Sequence, residues 1–272
     1  MQSKTRKQLF NVLKILIAVY CLGGIALWQL QDKILLHPKS LAADYVFKID
    51  APHKEVLLKL NENEQLHFVQ FFAADTNRIK GIVLYFHGNR ENINRYAAYA
   101  NNFTRNGYEV WMPDYPGFGK TTGVFTEERL YSDAKLLYKM ATKRFAADSI
   151  VLYGRSLGTG VASELASENN CKRLILETPY YSMPSLAAAH FFIYPTDRMI
   201  HFKFPVYNYI QKVKAPVSIF HGTDDEVIPY RTSVLLKAKL KKADEYISIE
   251  KGRHNDLGNF RFFHQKLDSL LR

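Results

Sequence analysis

The stretch Ser149-Ile150-Val151-Leu152-Tyr153-Gly154-Arg155-Ser156-Leu157-Gly158-Thr159-Gly160-Val161-Ala162 decides how the rest of this chain is read. Its first five residues are a short apolar run that reads as a buried strand, and residues 159–166 read as a helix. Between them stands Gly154-Arg155-Ser156-Leu157-Gly158, a G-x-S-x-G pentapeptide. A strand that turns sharply into a helix with Ser at the apex is a nucleophile elbow, which lifts the hydroxyl clear of the sheet where a base and a substrate both reach it. The turn strains the Ser backbone and leaves room only for small residues two positions before and after it, hence Gly154 and Gly158. In a loop without that strand and helix, the same pentapeptide would be a glycine-rich turn with a structural Ser.

An activated Ser needs a base, and the base needs a carboxylate to orient it. Both are sought in loops that follow later strands, in the order Ser, acid, His. Pro216-Val217-Ser218-Ile219-Phe220 reads as a buried strand and runs into His221-Gly222-Thr223-Asp224-Asp225-Glu226. Tyr246-Ile247-Ser248-Ile249-Glu250 reads as another, running into Lys251-Gly252-Arg253-His254-Asn255-Asp256. Of nine histidines, His254 alone sits in a loop after the last strand of this reading. His264 falls on the C-terminal amphipathic helix that begins near Phe260, His221 packs near the acid loop, and His190 and His201 lie in an aromatic segment where they could face a substrate.

Four motifs occur in order: His87-Gly88-Asn89, Gly154-Arg155-Ser156-Leu157-Gly158, His221-Gly222-Thr223-Asp224-Asp225 and Gly252-Arg253-His254-Asn255-Asp256. On these the chain resembles the α/β-hydrolases, in particular their N-terminally membrane-anchored branch, from about Asp32 to the C-terminus. The resemblance implies an α/β-hydrolase fold: a mostly parallel central sheet flanked by helices. It implies that Ser156 is the nucleophile, His254 the base and Asp225, three residues after Gly222, the acid. Asp224 stays open as the alternative acid, and whichever carboxylate loses is a solvated loop residue. It also implies that the backbone N–H groups of Asn89 and Leu157 form the oxyanion hole, with His87 bracing the loop. Arg90 and Arg95 read as a solvated face rather than as anion contacts. The implied activity is hydrolysis of a small-molecule acyl ester or thioester, a lipid among the candidates, through an acyl-enzyme. A serine aminopeptidase-type peptidase is the alternative; it would want an acidic subsite, for which Glu177 and Asp197 are candidates. A non-catalytic scaffold on the same fold is a third reading, opposed by the intact set of triad candidates.

The remaining pattern agrees with an α/β architecture. Apolar runs at 81–86, 108–112, 150–153, 173–176 and 217–220 alternate with helical stretches, as in a parallel sheet covered on both faces. Residues 55–60 and 64–72 alternate in polarity and read as an edge hairpin around Asn61-Glu62-Asn63. Asp114-Tyr115-Pro116-Gly117-Phe118-Gly119 is a turn-rich loop assigned to scaffold. The segment 179–213 is dense in aromatics and prolines, which predicts a short cap with an apolar inner face and names Tyr180, Phe191 and Phe192 as substrate contacts. The competing reading is a helix pair that completes the core.

The N-terminus divides into a basic flank, 1–8, with Lys4, Arg6 and Lys7, and an apolar stretch, 9–30, interrupted only by Asn11, Lys14 and Gln29. Residues 31–272 make the hydrolase domain. The apolar stretch predicts a transmembrane anchor or signal-anchor, with Lys14 snorkelling to the headgroups. A cleaved signal peptide is the alternative, but Trp28-Gln29-Leu30-Gln31 is a poor cleavage site. The stretch is apolar around its whole circumference, unlike an amphipathic core helix. The basic flank places the N-terminus in the cytoplasm and the catalytic domain across the membrane, in the periplasm if the source is bacterial. The net charge of +11 reflects lysines spread over helix surfaces without a nucleic-acid motif, and a basic face also suits anionic headgroups. Cys21 and Cys171 form no disulfide framework. No metal-ligand cluster or dinucleotide fingerprint is present, and 154–160 lacks the Lys-Ser/Thr ending of a phosphate loop, so neither metal nor cofactor is expected.

Overall fold

The computed structural model describes residues 2–272, with side chains from Arg6 onward; Lys4 of the basic flank lies outside the described side chains. Among the described residues the strands are β1 (His37–Pro38), β2 (His53–Lys59), β3 (Gln65–Phe71), β4 (Gly81–Phe86), β5 (Arg90–Glu91), β6 (Tyr108–Pro113), β7 (Ile150–Arg155), β8 (Arg173–Glu177), β9 (Val217–Gly222) and β10 (Glu245–Ile249). Eight of them form one sheet in the order β10-β9-β8-β7-β4-β6-β3-β2, and β1 pairs with β5. From β10 to β6 every pairing is parallel; β3 runs antiparallel to β6 and to β2.

The strands behave as their composition dictates. All six residues of β4 are buried, with Ile82, Leu84 and Phe86 in the core on one side of the sheet and Val83 and Tyr85 in the core on the other. That two-sided burial explains a continuous apolar run without alternation. β2, at the sheet edge, alternates between half-buried and exposed. Its turn into β3 is held by Asn61, whose Oδ1 accepts the backbone N–H groups of Asn63 and Glu64, each at 2.9 Å. The helices Glu127–Ala141, Gly158–Glu168 and Arg261–Leu270 cover the sheet. The first is capped by Thr126, whose hydroxyl accepts the Arg129 N–H.

The cap segment folds as three short helices, Met183–His190, Thr196–Met199 and Val206–Tyr209. Ser182 caps the first, and Pro184 lies in its opening turn.

The N-terminal helix runs Gln2–Leu35, past the expected end of the apolar stretch at Leu30. Its 34 residues extend about 51 Å at 1.5 Å per residue, and it is long and apolar enough to cross a membrane. Residues 9–30 of this helix are interrupted only by Asn11, Lys14 and Gln29, yet its C-terminal half presents one stripe to the cap. Gly23 and Gly24 are half-buried, and Leu27 and Gln31 are buried. The spacing is that of a single helix face. Tyr194 of the cap stacks on Tyr20 with ring centroids 4.9 Å apart. A Cβ on Gly23 would collide with the Tyr194 hydroxyl, so the bare glycine face lets the cap approach.

Candidate active site

β7 ends at Arg155 and the next helix starts at Gly158, so Ser156 occupies the turn between them with φ 50°. A left-handed Ser is strained by about 1–3 kcal/mol and must be held by its surroundings. The holding contacts are visible. The Ser156 N–H donates to the Glu177 carbonyl at 2.9 Å, and the Ser156 carbonyl accepts the Thr159 N–H at 3.0 Å. A Cβ on Gly154 would stand 2.5 Å from the Gly158 carbonyl oxygen, and one on Gly158 would fall on the carbonyl of Phe86. Both glycines are therefore required by close backbone approach.

His254 reaches the elbow from the loop after β10. Its Nε2 lies 3.0 Å from Ser156 Oγ and its Nδ1 lies 2.9 Å from Asp225 Oδ2. A carboxylate only accepts, so Nδ1 carries the proton and Nε2 is left to accept from the Ser156 hydroxyl. Asp225 Oδ1 takes the backbone N–H groups of Val227 and Ile228 at 2.9 and 2.7 Å. Asp225 is buried, whereas Asp224 is exposed and accepts from the Thr223 hydroxyl. The structure thus brings Asp225, and not its neighbour, to His254.

Asn89 and Leu157 both border the same cavity as Ser156. Among the described residues neither of their backbone N–H groups has a hydrogen-bond acceptor. The Asn89 side chain donates to the Leu35 carbonyl at the end of the N-terminal helix, and the Asn89 carbonyl accepts the His37 N–H at 3.0 Å. Below the loop, Asp114 is buried 3.3 Å from His87 and 3.6 Å from His67, and its Oδ1 accepts the Ile93 N–H at 3.0 Å. Burial alone would raise the Asp114 pKa, but the two neighbouring rings outweigh it and hold the carboxyl below its usual range. His87 stacks on Tyr96 and contributes no atom to the Ser156 side of the loop in these contacts; its Nδ1 meets the Gly88 carbonyl at 2.7 Å.

The other candidates are placed as follows. His221 is buried, with Nε2 2.9 Å from the Ile228 carbonyl and 3.4 Å from Asp225 Oδ2; burial pushes its pKa down, so at neutral pH it is an uncharged brace for the acid loop. His190 lines the cavity, its Nε2 3.0 Å from the Val227 carbonyl. His201 instead faces the N-terminal helix, edge-on to Trp28 and 3.7 Å from Asp32. His264 bonds to the Gly258 carbonyl at 2.6 Å, away from the site. Arg95 pairs with Glu91 at 2.7 Å on the surface. Glu177 is 1% exposed and committed to a buried brace beneath the elbow. Its Oε1 lies 3.5 Å from Arg155 Nε, and its Oε2 accepts the Tyr153 hydroxyl. Asp197 is exposed on the cap. Neither acid borders the cavity, and among the described residues no carboxylate does.

The cavity beside Ser156 holds about 210 Å³ and is lined mainly by apolar side chains, among them Met183, Leu186, Ile200 and Phe202 of the cap segment. Tyr180 and Phe191 belong to this lining. Phe192 does not: it is 84% exposed on the outer face of the cap, so the expectation that both phenylalanines face the substrate is corrected for Phe192. Four lining residues, Leu27, Gln31, Ile34 and Leu35, come from the N-terminal helix, which the sequence pattern had not placed at the site. Gln31, a polar residue at the end of the apolar stretch, was the one available signal.

Comparison with known proteins agrees with this architecture. The family described as "Serine aminopeptidase, S33" matches residues 77–206, a span that contains Ser156 and ends before Asp225 and His254. The alpha/beta hydrolase domain-containing protein 17C of Xenopus tropicalis is 30% identical over 194 residues, covering 70% of this chain and 61% of that protein. Its human counterpart is 28% identical, covering 70% and 57%. The chain therefore spans about 60% of the length of the curated relatives it matches. An esterase of Pyrococcus furiosus superposes with a TM-score of 0.69 at 18% identity, over 87% of this chain and 97% of that one. A soluble variant of the monoglyceride lipase of Saccharomyces cerevisiae gives 0.65 at 18%, over 85% and 98%. At these identities the two structures speak to the fold.

Proposed function

We propose, from the premise that this chain is an α/β-hydrolase, that it is a membrane-tethered serine hydrolase of carboxylic esters or thioesters. The observation that carries the reading is the Ser156–His254–Asp225 hydrogen-bonded relay at the edge of an apolar cavity. In this reading Ser156 Oγ attacks the acyl carbonyl while His254 Nε2 takes its proton, and Asp225 holds the ring and stabilises the imidazolium. The N–H groups of Asn89 and Leu157 receive the developing oxyanion, each donor lowering the barrier by roughly 3 kcal/mol. His254 returns the proton to the leaving group, and water then releases the acyl group from Ser156.

The cavity favours an acyl chain over a substrate amine, because its lining offers no carboxylate to pair with one. That supports the esterase reading over the peptidase reading that the family description would suggest. The N-terminal helix supplies the tether, and Arg6 and Lys7 in its first turns, ahead of the apolar stretch, favour a cytoplasmic N-terminus with the catalytic domain on the opposite side.

Three measurements test the proposal. A fluorophosphonate probe should label the full-length protein and not Ser156→Ala. A panel of acyl esters and thioesters run beside aminoacyl amides should show turnover of the acyl esters and thioesters only. Cell fractionation should recover the full-length protein with the membranes. Amide turnover exceeding ester turnover would overturn the substrate class, and recovery in the soluble fraction with the N-terminus intact would overturn the tether.

A further inference from the structure

We infer that the last turns of the N-terminal helix are a wall of the acyl-binding site, so that the segment that tethers this protein also selects its substrate. The inference rests on reading the cavity beside Ser156 as the acyl site. Leu27, Gln31, Ile34 and Leu35 border that cavity and recur at the three- and four-residue spacing of one helix face. Leu27 is 7% exposed and Gln31 6%, whereas Leu22, on the opposite face of the same helix, is 66% exposed.

The wall is fixed in place by polar contacts as well as by packing. Gln31 bonds to the cap in both directions: its Nε2 donates to the Met199 carbonyl at 3.2 Å and its Oε1 accepts the His201 N–H at 2.7 Å. Higher up, Tyr20 and Tyr194 exchange hydroxyl-to-carbonyl bonds, Tyr20 to the Ile193 carbonyl at 3.2 Å and Tyr194 to the Tyr20 carbonyl at 3.1 Å. At the lower end, the Leu35 carbonyl, one of the orphan acceptors that terminate any helix, is taken by the Asn89 side chain. Asn89 carries one of the two free N–H groups beside Ser156, so the helix end is stapled to the loop nearest the reacting centre.

Position along the helix then sets depth in the site. Leu35 stands next to Asn89, and Leu27 is eight residues earlier, about 12 Å farther along the axis. A bulky side chain at Leu27 should therefore obstruct the far end of a long acyl chain and leave a short one untouched. This places chain-length selection in a part of the sequence that a soluble truncation would discard.

The test uses the full-length protein in a nonionic detergent, with p-nitrophenyl butyrate and p-nitrophenyl palmitate as substrates. A fluorescent palmitate analogue is titrated in parallel on the Ser156→Ala background, where binding is read without turnover. Leu27→Trp should lower palmitate kcat/KM relative to butyrate, and weaken the fluorescent probe, by about tenfold. Leu22→Trp, a substitution of the same size on the opposite face, should move neither by more than about twofold. The melting temperature and circular dichroism of Leu27→Trp show whether that variant folds, and Leu27→Phe, a smaller addition of bulk at the same point, should lower palmitate kcat/KM relative to butyrate in the same direction. Equal profiles for Leu27→Trp and Leu22→Trp would overturn the inference, as would a Ser156→Ala protein that does not bind the probe. A wild-type protein that turns over neither ester yet binds the probe, with the same ranking of variants, would overturn the hydrolase reading and sustain the helix as an acyl-binding wall.

Discussion

Asp225 meets His254 through one oxygen, Oδ2 standing 2.9 Å from Nδ1, because its other oxygen is occupied by the backbone N–H groups of Val227 and Ile228. Two backbone donors and a buried His221 fix the carboxylate plane, and the plane in turn fixes the imidazole. Asp225→Asn should cut kcat by roughly 10⁴, since an amide can turn its NH₂ toward His254 and favour the wrong tautomer. Asp224→Asn should cost less than about tenfold, because that carboxylate is exposed and bonds only to Thr223 among the described residues. Steady-state kinetics on the two variants decides; the reverse ranking would move the acid one residue upstream.

The elbow makes a prediction of a different kind. Gly158 lies so close to the Phe86 backbone that even a methyl group has no space, and the obstructing atoms are main chain, which cannot swing away. Gly158→Ala should destabilise the fold by about 1–3 kcal/mol and displace Ser156 from His254. Thermal melting should show the first effect, and loss of fluorophosphonate labelling the second. A Gly158→Ala protein with wild-type Tm and labelling would mean that the turn is looser than its geometry.

What could be read in the sequence was whatever is decided by local pattern. β4 and the first four residues of β7 are continuous apolar runs because both their faces are covered, and β2 is half-exposed because it lies at an edge, while β3, one strand in, is buried on both faces despite its mixed sequence. The loops carrying Ser156, Asp225 and His254 each follow such a strand, so their order along the chain was enough to single them out. The choice between Asp224 and Asp225 needed a resemblance, since adjacent carboxylates differ only in which backbone donors they meet. The packed face of the N-terminal helix was legible only in the polar Gln31. Its stretch is apolar on every side, and Tyr194, which sits on Tyr20, is 174 residues away. Aromatic density likewise marked the cap but not which of two neighbouring rings turns inward.

The buried Asp114 should leave a signature in acid. Its folded pKa lies below the ordinary carboxylate value, so the unfolded chain binds its proton more readily than the native one. The stabilisation is therefore complete above the unfolded pKa, about 4, and is lost as pH falls through the lower folded value. Asp114→Asn should lower Tm at pH 7, and the gap from wild type should narrow as pH drops below about 4. A melting series from pH 7 to pH 3 tests this. A gap that stays constant would show that Asp114 contributes through packing and its bond to Ile93 rather than through charge.

Phe191 and Phe192 separate the inside of the cap from its outside. Phe191 borders the cavity beside Ser156, while Phe192 projects from the cap at 84% exposure, next to the residues that dock on the N-terminal helix. Removing a ring that a substrate chain would touch loses part of its burial, about 1 kcal/mol or roughly fivefold, for chains long enough to reach it. Phe191→Ala should therefore lower kcat/KM for long acyl esters and leave acetate or butyrate esters nearly unchanged. Phe192→Ala should leave the whole chain-length series unchanged in detergent, because the ring contributes nothing to the cavity. The same pair assayed against esters held in vesicles carries a second reading. The Phe192 ring, lying beside an apolar helix, would sit against lipid, so its loss should reduce turnover there and not in detergent. Equal losses for short and long chains in Phe191→Ala would make that ring a packing residue, and a chain-length effect in Phe192→Ala would mean that the cap turns over when substrate binds.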